Sequence, residues 1–391
     1  MTARPAPLSG TVVVGVEQAV SAPLCTRLLA DLGARVIKIE RPDGGDFTRE
    51  YDDVVHGMSA HFVWLNRGKE SVALDLKQSR DRGILHRLLD GADVLVSNLA
   101  PGATARLGLD GTALAVAHPR LISLEISGYG AGGPLSGKRA YDLLVHAETG
   151  SAAITGGPDS PAKPGPPFAD AATGLFAANA VLAALHRRRD TGSGTAIEIS
   201  MFDVMAELMG YPLTWSDYTG QDHERVGLAS PAVAPYAGYL TSDGQIVVLG
   251  TTNDAEWQRL AADLLGRPDL AADGRLRRNV DRVRHRELLD REIGGWCADR
   301  PLADIQAAAD EAGIGNAVLR RPTEVIEHPH LVARDRWQTI ASPVGPLRAL
   351  RPPACFDGVP LAPGAVPALG EHTRAVLAEL GVRSIDTEEP G

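Results

Sequence analysis

The sequence predicts an α/β fold, in which a large domain built on a doubly wound, mostly parallel sheet is joined to a smaller α+β domain. Strand patterns alternate with helix patterns through the first 130 residues, as in βαβ units. After roughly residue 220 the pattern changes to a hairpin followed by charged helices. We therefore assign 1–224 to a Rossmann-like large domain, 225–325 to the small domain and 326–391 to a C-terminal return to the large domain.

The elements of the large domain follow from their apolar patterns. Thr11–Val16 is a β-branched run, as expected of a strand buried on both faces. Pro23–Leu32 places its leucines on one face of a helix, which Gly33 ends. The same alternation continues with strands at Val36–Ile39, Ser71–Leu76, Val94–Ser97 and Leu121–Ser127, and with a helix through Ile84, Leu85, Leu88 and Leu89.

A loop and a long helix follow. Gly156–Phe168 contains five prolines and three glycines, which predicts a loop that leads directly to Asp170. Asp170–Arg189 is a helix pattern rich in alanine and glycine, and such small residues permit close approach of a second backbone. Ala196–Ser200 is a further strand.

The small domain and the tail have weaker patterns. Ala237–Leu240 and Gln245–Leu249 predict a hairpin around a Ser-Asp-Gly turn. Charged helices are expected at Ala255–Leu265 and Val283–Cys297, and a last helix at Thr373–Leu380.

Charge and cysteine content exclude several classes of protein. The formal net charge is −10 and no long basic block occurs, which disfavours a nucleic-acid partner. The cysteines Cys25, Cys297 and Cys355 are far apart, so we expect neither a disulfide framework nor a metal site. No signal-peptide pattern is evident, and no apolar run approaches the roughly 18 residues of a membrane span. We expect a soluble, cytoplasmic protein with no membrane partner.

Asp170 is the first candidate for chemistry. An aspartate just before a helix is commonly an N-cap that accepts backbone N–H bonds. A carboxylate at a helix start also stays ionised, as a covalent nucleophile requires. The glycine-rich segment Gly128–Pro134 lacks the spacing of a Walker or dinucleotide motif, so by itself it predicts a plain loop.

Several basic residues lie at or just beyond the predicted ends of strands or helices. Ligands of open α/β sheets bind at the carboxyl ends of the strands, so as a set these residues could neutralise the phosphates of an acidic ligand. Singly, each is equally consistent with solvated surface charge. The residues are Arg41, Lys69, Lys77, Arg106 and Arg139.

A series of motifs in the first 205 residues resembles the class III CoA-transferase family, the CaiB/BaiF type, and the likeness continues more loosely to about residue 356. The motifs occur in the family's order. They are Pro23-Leu24-Cys25-Thr26, the run from Asp31 to Glu40, the run from Leu65 to Ser71, Leu74-Asp75-Leu76-Lys77, the run from Asn98 to Gly102, the run from Ile126 to Gly130, Tyr141-Asp142-Leu143-Leu144, and Asp170 with Thr173-Gly174.

The resemblance implies an interlocked homodimer that binds acyl-CoA and a carboxylic acid, without a metal ion. It implies that Asp170 is the catalytic nucleophile, which forms an aspartyl-CoA thioester. Tyr141, Met201 and Val20 would lie near the substrate. The residues that would contact coenzyme A are Arg41, Leu74, Lys77, Asn98, Leu99, Arg106 and Arg139.

Two departures from family patterns bear on the substrates. Formyl-CoA transferases have a glutamine in the first strand-to-helix turn, where this sequence has Val20, with Gln18 two residues earlier; this disfavours oxalate as the acceptor. The racemase branch has a histidine where Tyr141 stands, so two-base proton exchange lacks a partner for Asp170. An acyl-CoA racemase and a non-catalytic CoA-binding protein remain as alternatives.

The segment from Arg41 to Lys69 is most similar to transferases that act on small branched C4–C5 dicarboxylates. Mesaconate, itaconate or citramalate would then be the acceptor and succinyl-CoA the donor. His56, Arg67 and Arg225 are candidate partners for a distal carboxylate, although surface ion pairing explains them equally well.

Overall fold

The structure, a computed structural model, describes residues 4–382. It divides into two compact units, and the first comprises the residues up to Thr149, Pro164–Gly210 and those from His330 onward. The second comprises Gly150–Lys163 and Tyr211–Pro329. The second unit therefore begins nearer the N-terminus than the expected residue 225 and also includes a short segment before Asp170. Positions 1–3 and 383–391 of the predicted domains lie outside the described residues.

Within residues 4–382, the strands form one large parallel sheet and three small antiparallel ones. The large sheet has the order β3-β2-β1-β4-β5-β8, which is the order of a doubly wound Rossmann-like fold and confirms that prediction. The strands are Val12–Val16 (β1), Arg35–Glu40 (β2), Lys69–Ala73 (β3), Val94–Ser97 (β4), Ile122–Ser127 (β5), Gly156–Gly157 (β6), Ser160–Pro161 (β7), Thr195–Ser200 (β8), Tyr236–Leu240 (β9), Ile246–Gly250 (β10), Gly315–Val318 (β11), Trp337–Ile340 (β12) and Leu347–Leu350 (β13).

The α-helices are Ser21–Asp31 (α1), Ala60–Asn66 (α2), Ser79–Asp90 (α3), Ala103–Arg106 (α4), Gly111–Ala117 (α5), Asp142–Glu148 (α6), Ser151–Ile154 (α7), Phe168–Thr191 (α8), Met201–Leu208 (α9), Gly210–Thr219 (α10), Asp254–Arg259 (α11), Pro268–Ala272 (α12), Asn279–Arg284 (α13), Arg286–Ala298 (α14), Leu302–Glu311 (α15), Pro322–Ile326 (α16), Pro329–Ala333 (α17) and Thr373–Glu379 (α18). Short 3-10 helices occur at Phe47–Glu50 and Gly274–Leu276, and a π-helical turn at Leu260–Leu264.

The large sheet is covered on both faces, as the β-branched strand patterns predict. Val13 of β1 belongs to the core formed with α1 and α8, whereas its neighbour Val14 belongs to the core formed with α3 and α18. Because side chains alternate along a strand, a strand apolar at every position is stable only when both of its faces are buried.

Helix α8 is the central helix of the first unit. It is long and apolar enough to cross a membrane by length and composition alone, which corrects the expectation that no such segment exists. In this structure Ala177, Ala178 and Val181 of α8 lie in the same core as Cys25 and Leu29 of α1. The helix therefore contributes its small side chains to the core against α1.

Gly174 allows α8 to approach α1 closely. A β-carbon at Gly174 would lie 2.7 Å from the backbone oxygen of Ser21 and 3.0 Å from the β-carbon of Leu24. Real β-carbons do not make contacts this short with a backbone, so a larger residue would force the two helices apart.

We expect Gly174→Ala to lower the free energy of unfolding by about 1–3 kcal/mol, because overpacking outweighs the gain in helix propensity. Urea denaturation measures the change. Gly295→Ala in the interior of α14 is the matched control, since no atom outside the adjoining turns of its own helix lies within 4 Å of its added β-carbon. We expect that control to be neutral or more stable by up to about 1 kcal/mol. Equal effects of the two substitutions would contradict this account of α8 packing.

The second unit has its own core. The hairpin of β9 and β10 is confirmed, and β11 extends it to a three-stranded antiparallel sheet. Trp257, Leu260 and Ile293 from the surrounding helices are fully buried beside it. The helix expected at Val283–Cys297 is two helices that meet at His285.

The segment before α8 is more ordered than the proline pattern predicted. Gly156–Phe168 was expected to be a loop throughout, but β6 and β7 pair within it and Phe168 is already helical. Arg225 donates to the carbonyl oxygens of Ala153, Gly157 and Pro158, all within the second unit. Arg225 therefore stabilises this segment. Its guanidinium is hydrogen-bonded to the backbone, so binding of a substrate carboxylate is not needed to explain this arginine.

Candidate active site

The turn between β1 and α1 lies at the point where the strand order reverses, and two neighbouring segments hold it. Asn98, just after β4, donates through Nδ2 to the Gln18 oxygen (2.7 Å) and accepts from the Gln18 N–H through Oδ1 (3.0 Å). The N–H of Ala19 donates to Oδ1 of Asp46 at 3.2 Å. Ala19 has φ of 65°, a region that disfavours side chains with a β-carbon, so these bonds compensate for backbone strain.

A buried group of charges lies below this turn. Glu17 Oε1 accepts from Lys69 Nζ at 2.7 Å and lies 3.4 Å from Lys38 Nζ, which also donates to Asp46 at 2.8 Å. The side chains of Glu17, Lys38 and Lys69 are fully buried. Burial lowers the pKa of Lys69 to about 8, against the favourable charge of Glu17. Lys69, a candidate for phosphate binding, is therefore part of this internal network.

Asp170 lies in the first turn of α8, as its third residue. The N-cap position belongs to Pro167, which offers no side-chain oxygen, so the interpretation of Asp170 as the N-cap is wrong. Asp142 of α6 caps the helix instead: its Oδ1 accepts from the N–H of Ala169 at 2.9 Å and of Asp170 at 3.4 Å. The Asp170 carboxylate is thus left for other contacts.

The close packing of α1 on α8 brings Ser21 to Asp170. Ser21 donates hydrogen bonds to the Asp170 carboxylate through its hydroxyl and its backbone N–H, and both lower the pKa of Asp170. Burial and the negative charge of Asp142 act in the opposite direction and raise that pKa to about 7. The expectation that the helix start keeps Asp170 fully ionised at neutral pH is therefore wrong, because burial outweighs the hydrogen bonds.

Two cavities lie at the carboxyl ends of the strands of the large sheet, where ligands of such folds bind. The first, of about 850 Å³, contains Asp170 in its wall, and the second is about 750 Å³. Gln18 and Leu99 line both cavities, so the two are adjacent.

The family model of CoA-transferase family III matches residues 8–373. The chain belongs to this family. It is a CoA transferase, and the resemblance found in the sequence motifs is confirmed. The doubly wound sheet and the cavities at its strand ends are therefore those of a transferase, and the Asp170 region is its candidate catalytic centre.

Relatives of known activity and a solved structure are similar over nearly the whole transferase. The succinyl-CoA--D-citramalate CoA-transferase of Chloroflexus aurantiacus is 32% identical over 384 residues, which cover 96% of this chain and 94% of that protein. The acetyl-CoA:oxalate CoA-transferase of Acetobacter aceti is 35% identical over 331 residues, 84% and 85% of the two chains. The crystal structure of a CAIB/BAIF family protein from Brucella suis is 32% identical, with a TM-score of 0.82, and covers 96% of this chain and 100% of that chain.

The structure distributes the predicted site residues of the transferase between the two cavities. Those that line the first cavity are Asn98, Leu99, Arg139, Tyr141, Asp170 and Met201. Those that line the second are Arg41, Leu74, Lys77, Leu99 and Arg106. Val20 lines neither cavity; its side chain is buried among Leu24 and Leu65, while its neighbours Ala19 and Ser21 line the first cavity.

Several candidate side chains are committed to other partners. Arg67 is buried and pairs with Asp31 at 3.2 Å, so surface ion pairing is not its role. In the glycine-rich segment, the N–H groups of Gly130 and Ala131 donate to Ser127 Oγ (3.0 Å) and Glu198 Oε1 (2.5 Å). These two amides are thus already hydrogen-bonded within the loop that lines the first cavity.

Two residues of the site were missed by sequence reasoning: Ser21, which bonds the Asp170 carboxylate, and Asp142, which caps α8. In the sequence, Asp142 stands only as part of a motif beside Tyr141. Its role depends on α6 reaching the start of α8 across 27 residues of sequence, and the local pattern around either residue does not show that contact.

Proposed function

We propose that this transferase moves coenzyme A from succinyl-CoA to a small dicarboxylic acid, and that Asp170 holds the CoA between the two half-reactions. The observation that supports this proposal is the placement of Asp170 in the wall of the first cavity, hydrogen-bonded to Ser21. A carboxylate so placed can reach a thioester that enters from the cavity.

The reaction consists of exchanges between acyl groups. The Asp170 carboxylate attacks the donor thioester carbonyl, the C–S bond breaks, and a mixed anhydride and CoA thiolate result. The thiolate attacks the Asp170 carbonyl of the anhydride, the donor acid leaves, and an aspartyl-CoA thioester remains. An acceptor carboxylate then displaces the thiolate, which attacks the acceptor carbonyl of the new anhydride and restores Asp170. No net proton or electron is consumed, so the cycle balances without ATP.

The two cavities suit the two ends of coenzyme A. The second is lined by four basic side chains, which supports placing the phosphate-bearing end there: Arg41, Lys77, Arg82 and Arg106. Its wall also holds five carboxylates, but those of Glu17, Glu40 and Asp46 are engaged in ion pairs with internal cations. The thioester would then extend past Gln18 and Leu99 into the first cavity, towards Asp170, with Tyr141 and Met201 beside it. Asn98 would position the β1–α1 turn through its hydrogen bonds to the Gln18 backbone. Arg139 would contact the ligand from the wall of the first cavity, and Leu74 from the wall of the second.

The acceptor is proposed to be a branched C4–C5 dicarboxylate such as citramalate, mesaconate or itaconate. The sequence similarity to the Chloroflexus citramalate enzyme supports it. Oxalate stays within the range to be tested, because Gln18 lines both cavities although the sequence comparison placed Val20 at the family's glutamine position. The similarity to the Acetobacter acetyl-CoA:oxalate CoA-transferase likewise supports testing oxalate as an acceptor.

We also propose that the transferase works as a homodimer. Helix α10 has no buried residue and exposes Tyr211, Trp215 and Tyr218, while α8 exposes Leu175 and Phe176. Apolar surface of this kind is typical of an interface. Sedimentation equilibrium tests the proposal, and a species of about 41 kDa would contradict it.

Intact-mass spectrometry after incubation with succinyl-CoA, followed by peptide mapping, tests the proposed function. We expect a CoA adduct on Asp170, which one acid of a panel of citramalate, mesaconate, itaconate, glutarate and oxalate discharges as its CoA ester. The absence of an adduct with every acyl-CoA tried, together with exchange of the α-proton in deuterated water, would instead favour the racemase.

The activity of the transferase is expected to fall in acid. Only the ionised Asp170 can attack, and its pKa is raised to about 7, so kcat/KM for the donor should decrease about tenfold per pH unit below that value and level off above it. A pH profile between 5 and 9 measures this acid limb. A profile that stays flat down to pH 5 would contradict the role of Asp170 as the titrating nucleophile.

A further inference from the structure

The start of α8 depends on a residue of another helix. Pro167 cannot cap the helix, and Oδ1 of Asp142 accepts the N–H groups of Ala169 and Asp170 instead. Asp142 is the first residue of α6 and directly follows Tyr141, whose side chain lines the first cavity. The backbone N–H of Asp170 is therefore hydrogen-bonded to a carboxylate that directly follows a residue of the cavity wall.

The Asp142 carboxylate that accepts these hydrogen bonds also has a negative charge that acts on Asp170. Asp142 is close enough to Asp170 for its charge to oppose ionisation of the Asp170 carboxylate, in the same direction as burial. Groups near this pair include Ser21 of α1, Tyr141 at the N-cap of α6, and Tyr51, whose own ionisation is opposed by Asp170. One imidazole, His146 Nε2, lies 3.7 Å from Asp142 Oδ1.

We propose that Asp142 is a positioning residue that fixes the start of α8 and, through its charge, makes the free Asp170 carboxylate less stable than its acylated, uncharged form. The inference rests on the proposed function. Acylation of Asp170, as anhydride or thioester, removes one of two adjacent negative charges. The repulsion present in the resting enzyme is thus relieved in the covalent intermediates, and a less stabilised carboxylate is also the better nucleophile.

Asp142→Asn removes the negative charge but keeps the helix cap, because the amide oxygen can still accept a hydrogen bond from the Ala169 N–H. We expect the acid limb of kcat/KM to move down by about one pH unit. The fraction of enzyme trapped as the Asp170 adduct at equilibrium with succinyl-CoA should fall about 3- to 10-fold, while the thermal unfolding midpoint stays close to that of the wild type. Asp142→Ser, a neutral residue that also caps helices, should shift the limb in the same direction if the asparagine variant folds poorly.

Asp110→Asn is the matched control. Asp110 is the N-cap of its own helix, α5, and its Oδ1 accepts from the N–H groups of Thr112 and Ala113 at 3.1 and 3.0 Å, so it is an aspartate that caps a helix start without lying beside Asp170 in the sequence. We expect no shift of the acid limb in this variant. An acid limb unchanged in both Asp142 variants, with the adduct still formed, would overturn the inference and leave the proposed function intact. A wild-type protein that forms no adduct would overturn both.

Discussion

Asp170→Ala is expected to lower the rate of CoA transfer by about 1,000-fold or more and to abolish the covalent adduct. In the proposed cycle the carboxylate supplies both the oxygen that bonds to the acyl group and the carbon that then bonds to the CoA sulfur, so its loss leaves no alternative route within the site. Steady-state transfer from succinyl-CoA, measured with the acceptor that discharges the wild-type adduct, gives the size of the effect.

The substitution should not unfold the protein. Asp170 does not cap α8, and removal of a partly buried carboxylate that opposes Asp142 relieves repulsion, so the free energy of unfolding should be unchanged or higher. Asp190→Ala, at the exposed end of the same helix, is the matched control and should retain full activity. Substantial transfer by Asp170→Ala would show that another group is the nucleophile.

Glu17→Ala is expected to have the largest effect on stability, a loss of about 3–5 kcal/mol in the free energy of unfolding. Without Glu17, the buried ammonium of Lys69 keeps only the Pro23 oxygen and the Asn66 side-chain oxygen as partners, and Lys38 keeps Asp46. An ammonium buried without a counter-charge must lose its proton or admit water, and both cost free energy. Urea denaturation at pH 7 measures the loss.

Glu70→Ala is the matched control, because it removes a partly exposed ion pair where Glu17→Ala removes a fully buried one. Glu70 pairs with Arg35 at 2.8 Å, but both side chains keep about a third of their surface exposed. We expect that change to cost no more than about 1 kcal/mol. Similar losses for Glu17→Ala and Glu70→Ala would show that the network below the β1–α1 turn contributes little.

The fold was predictable from the sequence because its strands and helices have strong local patterns. A valine-rich run such as Thr11–Val16 is expected in a strand covered on both faces, and the alternation with helices favours a parallel sheet. Element ends were less predictable. Helix α8 begins at Phe168 rather than Asp170, because tertiary bonds from Asp142 extend it into a proline-rich segment where local pattern predicts a loop.

The candidate nucleophile was also predictable, since Asp170 stands in a family motif at a helix start. Its ionisation was not predictable. Local reasoning considers the helix dipole alone and expects a low pKa, whereas the structure buries the carboxylate and places a second carboxylate nearby. Basic residues were hardest to assign, because the sequence does not distinguish Lys69, inside a buried network, from Lys77, at the wall of a cavity.

By itself, the sequence determined the fold class of this protein, its family and the aspartate on which its chemistry is proposed to depend, because each of these is expressed in local pattern and motif. Only the tertiary structure decided which residues act on that aspartate. Ser21 and Asp142 are about 150 and 28 positions away from it along the chain, and they reach it because Gly174 lets α1 pack closely on α8 and because α6 begins beside the start of α8. Burial and charge interactions depend on distance in space, and sequence pattern does not encode that distance.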